Sequence, residues 1–290
     1  MNLEVLMSQP QESFGEIYII AEGGINHNGD IDIAKQMITQ AATAGVDAIK
    51  FQKREVSLVY TEDFLNQPRE SKWGNTQRDQ KNGLEFNAKQ YRELYDFSKS
   101  LGLDFSASAW DLESLKFVES LNPEFHKVAS AFITNLEFLR TVAAHRRPTF
   151  VSTGMSTFAD IDTAVKIFEE AKCPFMLMHS VSVYPAELSS LNLSMIKTLA
   201  NRYSRSVGYS GHEASVSPTL TAGAFGARAI ERHFTLDRSM YGSDQSASLE
   251  PDGMRRLVAG LRKIQFIVGD GVKRYEAGEE DVAKKLRYWN

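Results

Sequence analysis

Two histidines set the chemistry to be explained. His212 ends the segment Val207-Gly-Tyr-Ser-Gly-His212, and His233 ends Ala229-Ile-Glu-Arg-His233. Each follows a short β-like run, with one helix's worth of Ala/Gly-rich chain between them. If the two runs are neighbouring parallel strands, both imidazoles stand at one edge of the sheet and can share a divalent ion. Two imidazoles leave most coordination positions to water and substrate oxygens, as a Lewis-acid metal requires. The competing role is two hydrogen-bonded polar histidines that finish their strands.

A second set of polar residues stands at the ends of other apolar runs. Lys50 and Lys127 lie within such runs, where lysine does nothing for packing. Ringed by Ser108, Ser130, Ser152, Ser182 and Ser210, two ammonium groups make a receptor for phosphate or carboxylate through charge-assisted hydrogen bonds. A strand lysine can also form a Schiff base with a carbonyl substrate, and the residues alone leave that open. Glu22 ends the first run, where partial burial would raise its pKa towards neutrality and suit it to acid/base work. Asp244, after a Gly-Ser turn beyond the last run, is placed to meet a polar substrate. His27 is expected to shape its loop. His126 and His145 read as structural, and His179 as a core histidine.

The elements that must position these groups are eight short runs: Glu16–Glu22, Ala48–Gln52, Leu103–Ser108, Phe125–Ser130, Pro148–Gly154, Phe175–Ser180, Arg205–Gly211 and Arg228–Phe234. Amphipathic patterns at three- and four-residue spacing lie between them, such as Ile33-Ala34-Met37-Ile38-Ala41 and Leu115-Phe117-Val118-Leu121. Eight strands alternating with helices predict an α/β fold, a (β/α)8 TIM barrel over residues 16–270, with the site at the C-terminal strand ends. A doubly wound dinucleotide fold would want Gly-x-Gly-x-x-Gly after the first strand, and Glu-Gly-Gly-Ile-Asn-His-Asn-Gly does not supply it. The barrel places the two histidines opposite Glu22. Residues 53–85 form a long charged loop after the second strand, expected to be a lid, with a disordered excursion as the alternative. Residues 1–15 read as a polar extension without a secretion signal, and 271–290 as a charged helical tail.

Composition narrows the class. With 290 residues and 42% hydrophobic content the chain can bury a large core, and no apolar run is long enough for a membrane span. A formal charge of −4 argues against nucleic acid as a partner, so anionic substrates must be drawn in by local cations. The single cysteine, Cys173, permits no internal disulfide and fits a reduced, cytoplasmic setting.

At these residues the chain resembles the sialic acid (N-acetylneuraminate) synthase family, whose members condense phosphoenolpyruvate with an aldose. The matching stretches are Ala21-Glu-Gly-Gly-Ile-Asn-His-Asn-Gly29, Lys50-Phe-Gln52, His126-Lys-Val-Ala-Ser130, Val151-Ser-Thr-Gly-Met155, His179-Ser-Val-Ser-Val-Tyr-Pro185, Gly208-Tyr-Ser-Gly-His212 and Glu231-Arg-His-Phe234. They keep their order across residues 16–250. The resemblance implies that Lys50, Ser108, Lys127, Ser130, Ser152, Ser182 and Ser210 hold the phosphate and carboxylate of phosphoenolpyruvate, with Tyr184 lining the same pocket. It implies that His212 and His233 bind a divalent metal, Mn2+ first and Mg2+ or Co2+ as alternatives. Glu22 would be the acid/base residue, and Asp244 would contact hydroxyls of an N-acetylmannosamine-like acceptor.

Departures from the family pattern fall mainly on the acceptor side. Members usually continue into a small antifreeze-protein-like (SAF) domain that reaches a partner subunit's site. This sequence ends at Asn290, about where that domain would begin, so any homodimer is expected without domain swapping. Phe132 stands where members carry an acidic residue that contacts the sugar, and Ser182 and Ser108 stand for Asn and Thr. The expected function is a metal-dependent synthase of a nonulosonic acid. The alternatives are a non-catalytic sugar-phosphate-binding barrel and, below it, a Schiff-base aldolase using Lys127 or Lys50.

Overall fold

The computed structural model describes residues 1–8 and 15–289. Eight parallel strands form a nearly closed (β/α)8 barrel: β1 (Tyr18–Gly24), β2 (Ala48–Lys53), β3 (Asp104–Ala109), β4 (His126–Val128), β5 (Thr149–Ser152), β6 (Phe175–Ser180), β7 (Val207–Gly211) and β8 (Ala229–His233). Consecutive strands pair, except β3 with β4, and β1 pairs with β8, so the sheet curls round on itself. Between β3 and β4 the ladder gives way to single bonds. Glu124 N–H donates to Phe105 O at 3.4 Å, and Ser106 Oγ donates to Phe125 O at 2.5 Å.

The two-residue period of a strand divides each run between two surroundings. On β1, Ile19 and Ala21 face outward and pack with Ala34, Met37, Ile38 and Ala41 of the helix Ile31–Ala44. Asp30 caps that helix by accepting from the N–H groups of Asp32 and Ile33, and Gly45 ends it at φ 82°, where a side chain would be strained. Tyr18 and Ile20 belong instead to a second apolar cluster, with Phe125, Phe150, Met176 and Met178. This cluster is the barrel floor. Tyr18 stacks on Phe150 at 5.9 Å and meets Phe125 edge-on at 6.1 Å.

Height along each strand then decides polarity. The alternating positions that carry Tyr18, Ile20, Ala48, Phe125 and Phe150 lower down lead up to Glu22, Lys50, Lys127 and Ser152, which with Ser108 and Ser210 are all buried near the strand ends. An apolar floor supports a polar mouth.

The floor corrects the reading of the N-terminus as a polar extension. Leu3–Ser8 is a helix whose Leu3, Leu6 and Met7 are buried in the floor cluster, a three- and four-residue spacing hidden in a short stretch. Pro10 and its neighbours 9–14, also read as extension, lie outside the described residues.

The 53–85 loop is folded. It contains the helical turns Val56–Val59 and Glu62–Leu65, a hairpin of Pro68–Ser71 with Gly74–Thr76, and the helix Gln77–Leu84. Thr76 and Asp79 close a capping box at the start of that helix. Glu85 ties the base down by accepting from Lys53 Nζ and Arg54 N–H, each at 3.2 Å. At the tip, Trp73 meets Tyr241 at 6.1 Å. The last barrel helix is Pro251–Val268, and the tail carries one helix, Glu279–Leu286. No helix among the described residues is long and apolar enough to cross a membrane.

Candidate active site

A cavity of about 340 Å³ opens at the C-terminal ends of the strands. Glu22, Lys50, Ser108, Lys127, Ser130, Ser152, Ser182, Tyr184, Ser210, His212, His233 and Asp244 all line it. Strand register brings them together. Glu22 is the β-ladder partner of Lys50 on one side and of His233 on the other. Glu22 therefore stands beside His233 on the adjacent strand, not opposite it, because β1 closes the barrel against β8.

Two buried ion pairs dominate the electrostatics. Lys50 Nζ pairs with Glu22 Oε2 and donates to Ser108 Oγ at 2.8 Å. Gln52 Nε2 donates to the other oxygen of Glu22 at 3.0 Å. The Glu22 carboxyl is thus fully buried, not partly, and lies among polar partners. Across the barrel, Lys127 Nζ donates to Glu231 Oε1 at 2.9 Å, and Ser210 Oγ donates to the same oxygen at 3.1 Å. Burial alone would raise the Glu231 pKa, but the charges of Lys127 and Lys50 overcome it and hold the carboxyl below the usual carboxylate range. Burial pulls the Lys127 pKa down, Glu231 opposes that, and Lys50 adds to it.

Hydroxyls crowd the opposite wall. Ser130 Oγ lies 3.1 Å from Ser180 Oγ and accepts from Gly154 N–H at 3.1 Å. A Cβ on Gly154 would stand 2.3 Å from Ser182 Oγ and 2.8 Å from Ser130 Oγ, so only glycine lets these hydroxyls converge. Ser152 Oγ and Ser182 Oγ are buried with no hydrogen-bond partner among the described residues. An unsatisfied buried hydroxyl costs about 1–3 kcal/mol, which an anionic ligand's oxygens would recover.

The imidazoles meet where β7 and β8 pair, with ring centroids 5.5 Å apart. His212 Nδ1 is 2.6 Å from Val181 O, so it is the proton donor and Nε2 is the free base. Burial first, and the neighbouring His233 second, lower the His212 pKa to about 3. A neutral imidazole with its second nitrogen anchored is the form that ligates metal. His233 Nδ1 is buried without a hydrogen-bond partner among the described residues and lies 3.8 Å from Asp244 Oδ2. Among the described residues no group of three or more His, Cys, Asp or Glu side chains could hold an ion. The donor set fits an ion that shares its sphere with substrate and water. Tyr184 lies over both rings, at 4.1 Å from His212 and 5.6 Å from His233.

The other histidines are structural by contact. His27 stacks on Phe86 at 4.1 Å, His126 Nε2 pairs with Glu119 at 2.8 Å, and His179 Nε2 bonds Leu191 O at 2.8 Å. Phe132 turns away from the cavity into an apolar cluster with Phe138 at 4.6 Å and Trp110 at 5.7 Å. It does not take the place of a sugar-binding group.

Three charged cavity residues, Glu231, Arg54 and Lys81, were not singled out in the sequence. Glu231 carried a usable signal, because it stands two positions before His233 on one strand and must share its face. Arg54 and Lys81 come from the folded loop, whose pattern says nothing about which side chains turn towards the barrel.

Comparison with known proteins agrees with this architecture. The NeuB family model matches residues 37–273. Human N-acetylneuraminate-9-phosphate synthase is 37% identical over 272 residues, covering 93% of this chain and 76% of the human protein. N,N'-diacetyllegionaminic acid synthase of Campylobacter jejuni is 34% identical over 268 residues, 90% of this chain and 80% of that protein. The crystal structure of N-acetylneuraminic acid (sialic acid) synthetase from Leptospira borgpetersenii, in complex with citrate, superposes with a TM-score of 0.83 at 33% identity. That match covers 94% of this chain and 93% of the Leptospira chain. By its family match and by these relatives, the chain belongs to the NeuB family.

Proposed function

We propose that this protein condenses phosphoenolpyruvate with an N-acetylmannosamine-like aldose and water, giving a sialic-type 2-keto-3-deoxy sugar acid and phosphate. The observation that carries this reading is one cavity holding the Lys50–Glu22 and Lys127–Glu231 pairs, a cluster of serine hydroxyls and two adjacent imidazoles. Lys50 and Lys127, with Ser108, Ser130, Ser152, Ser182 and Ser210, hold the phosphate and carboxylate of phosphoenolpyruvate. Tyr184 walls the same pocket. Asp244 accepts hydroxyl protons from the aldose. A divalent ion held by His212 and His233, Mn2+ or in its place Mg2+ or Co2+, would supply Lewis-acid polarisation of the aldehyde oxygen.

The chain's own groups account for the rest. The methylene carbon of phosphoenolpyruvate bonds to the aldehyde carbon, and the aldehyde oxygen takes a proton. Water adds to C2 of the former enol, and Glu22 receives the proton it gives up and passes it on to the former aldehyde oxygen, which closes the proton balance. The bond from C2 to the phosphate oxygen then breaks, the new hydroxyl proton leaves with the phosphate, and a ketone remains. Lys50 and Lys127 face the phosphate throughout and stabilise the charge it gains as it departs.

A Schiff-base route needs an amine free to attack a carbonyl, whereas each lysine here is held in an ion pair with a buried carboxylate. The test is phosphate release from phosphoenolpyruvate against a panel of aldoses, with Mn2+ or chelator. Release that needs an aldose and stops with chelator supports the proposal. Trapping of a keto acid by borohydride with chelator-insensitive activity would favour the aldolase, and binding without release the non-catalytic barrel.

A further inference from the structure

We infer that Arg232 and Glu213 are positioning residues for the imidazole pair: they take over where the β-ladder stops and fix His212 against His233. What the imidazoles hold, a divalent ion, rests on the proposed synthase reading, while the positioning is read from contacts within the chain. The starting point is the end of the ladder between β7 and β8. Its last register pair is Gly211 with Arg232, one residue short of each histidine. Beyond it both histidine carbonyls turn to other parts of the chain. His212 O accepts from Ala186 N–H at 3.0 Å, and His233 O accepts from Leu249 N–H at 2.8 Å.

Alternation along the two strands puts an ion pair behind the rings. Ser210, His212, Glu231 and His233 line the cavity, so Tyr209 and Arg232 belong to the outer face. The Arg232 and Glu213 side chains are both wholly buried, and Arg232 Nη1 donates to Glu213 Oε1 at 3.1 Å. The same guanidinium donates to Glu213 O, to Ser215 O at 2.9 Å and to Thr219 Oγ1 at 2.7 Å. It therefore grips the turn after His212 by its carbonyls, as backbone N–H groups do lower in the ladder. Tyr209 Oη donates to the other Glu213 oxygen at 2.9 Å. A Cβ on Gly211 would stand 2.6 Å from that oxygen and 2.9 Å from Arg232 Cδ, so glycine is needed for the groups to converge.

Chain adjacency couples this pair to the rings. Glu213 follows His212 and Arg232 precedes His233, so one contact spans both strands a single residue from each imidazole. The rings' own polar neighbours lie on separate segments, Val181 O after β6 for His212 and Asp244 beyond β8 for His233. Those neighbours orient each ring, and the Arg232 network sets one strand end against the other. A buried ion pair is often no more stabilising than apolar residues of similar volume, so stability alone does not account for it. Two ligands spaced before the ion arrives bind it without a further ordering cost.

The test uses the full chain and reads Mn2+ affinity by electron paramagnetic resonance of the free ion. Phosphoenolpyruvate affinity is read in parallel by calorimetry with chelator present. Arg232→Lys keeps a charge opposite Glu213 but loses the fork. Its Kd for Mn2+ should rise about 10–100-fold, the usual effect of losing a group that orients a metal ligand, with the phosphoenolpyruvate Kd within about twofold of wild type. Thr219→Val removes the hydroxyl between the two charges and keeps the shape. It should raise the Mn2+ Kd about three- to tenfold, and it decides the matter if Arg232→Lys does not fold. Unchanged Mn2+ affinity in both variants, or equal losses of Mn2+ and phosphoenolpyruvate affinity, would overturn the inference. A wild type that takes up no Mn2+ would overturn the metal reading instead. Amide hydrogen exchange then decides the inference separately. Residues 211–216 should exchange at least about tenfold faster in the variants while residues 104–109 stay unchanged, and a uniform change or none would overturn it.

Discussion

Lys127 on β4 and Glu231 on β8 meet at 2.9 Å across the full width of the barrel, since the two strands are four places apart in either direction round the sheet. The pair ties the two halves of the cavity together and fixes the ammonium beside the serine cluster. Replacing Glu231 by Gln strips the buried Lys127 charge of its partner, which costs about 3–5 kcal/mol in buried pairs. The expected melting temperature is roughly 6–12 °C below wild type by calorimetry. A Glu231→Gln variant that melts with wild type would show that the pair does not hold the site.

Glu22 is the expected proton acceptor for the attacking water. Glu22→Gln keeps a hydrogen-bonding group towards Lys50 and Gln52 but cannot take a proton. Its kcat for phosphate release should fall about 10²–10⁴-fold, the usual contribution of a positioned acid/base group. Solvent-exchange or binding measurements should still show phosphoenolpyruvate bound. A variant within twofold of wild type would remove Glu22 from the reaction.

Gly154 tests the serine cradle without touching a charged group. A Cβ there displaces the hydroxyls of Ser182, Ser130 and Ser180, which lie 2.3, 2.8 and 2.9 Å from it. Hydroxyls on short side chains can rotate away, so Gly154→Ala should cost little stability. The KM for phosphoenolpyruvate should rise about tenfold or more, the loss of one charge-assisted hydrogen bond. An unchanged KM in steady-state kinetics would move the anion site elsewhere.

His27 gives a pH dependence with a definite sign. Burial, with a smaller contribution from the Arg54 charge, lowers its pKa to about 3 in the folded chain. The unfolded chain takes the proton near pH 6.5, so His27 contributes full stability above that value and loses it as the pH falls towards 3. At pH 5 the loss is about 2 kcal/mol. His27→Phe, which keeps a ring against Phe86, should show a smaller drop in urea midpoint between pH 7 and pH 5 than wild type. Identical drops would contradict the assignment.

The barrel and most of the cavity were legible because strand alternation is a local rule. Once eight runs were recognised, the inward positions near their ends followed, and Glu22, Lys50, Lys127, Ser210 and His233 fell on one face by counting in twos. What was not legible depended on closure and on folded loops. The neighbour relation between Glu22 and His233 exists because β1 pairs with β8, a contact between the two ends of the barrel sequence. Lys81 points into the cavity through a hairpin, a capping box and a Trp73–Tyr241 contact that no periodicity announces. Leu3, Leu6 and Met7 escaped notice because six residues are too few for a helical pattern to stand out.

The most direct measurement follows the oxygen that bridges carbon and phosphorus in phosphoenolpyruvate. With that oxygen labelled as 18O, and with aldose and Mn2+ present, the account expects phosphate to be released and to carry the label, because water enters at C2 and the C–O bond breaks. Label retained in the keto acid, or no phosphate released with any aldose, would contradict the condensation assigned to this cavity.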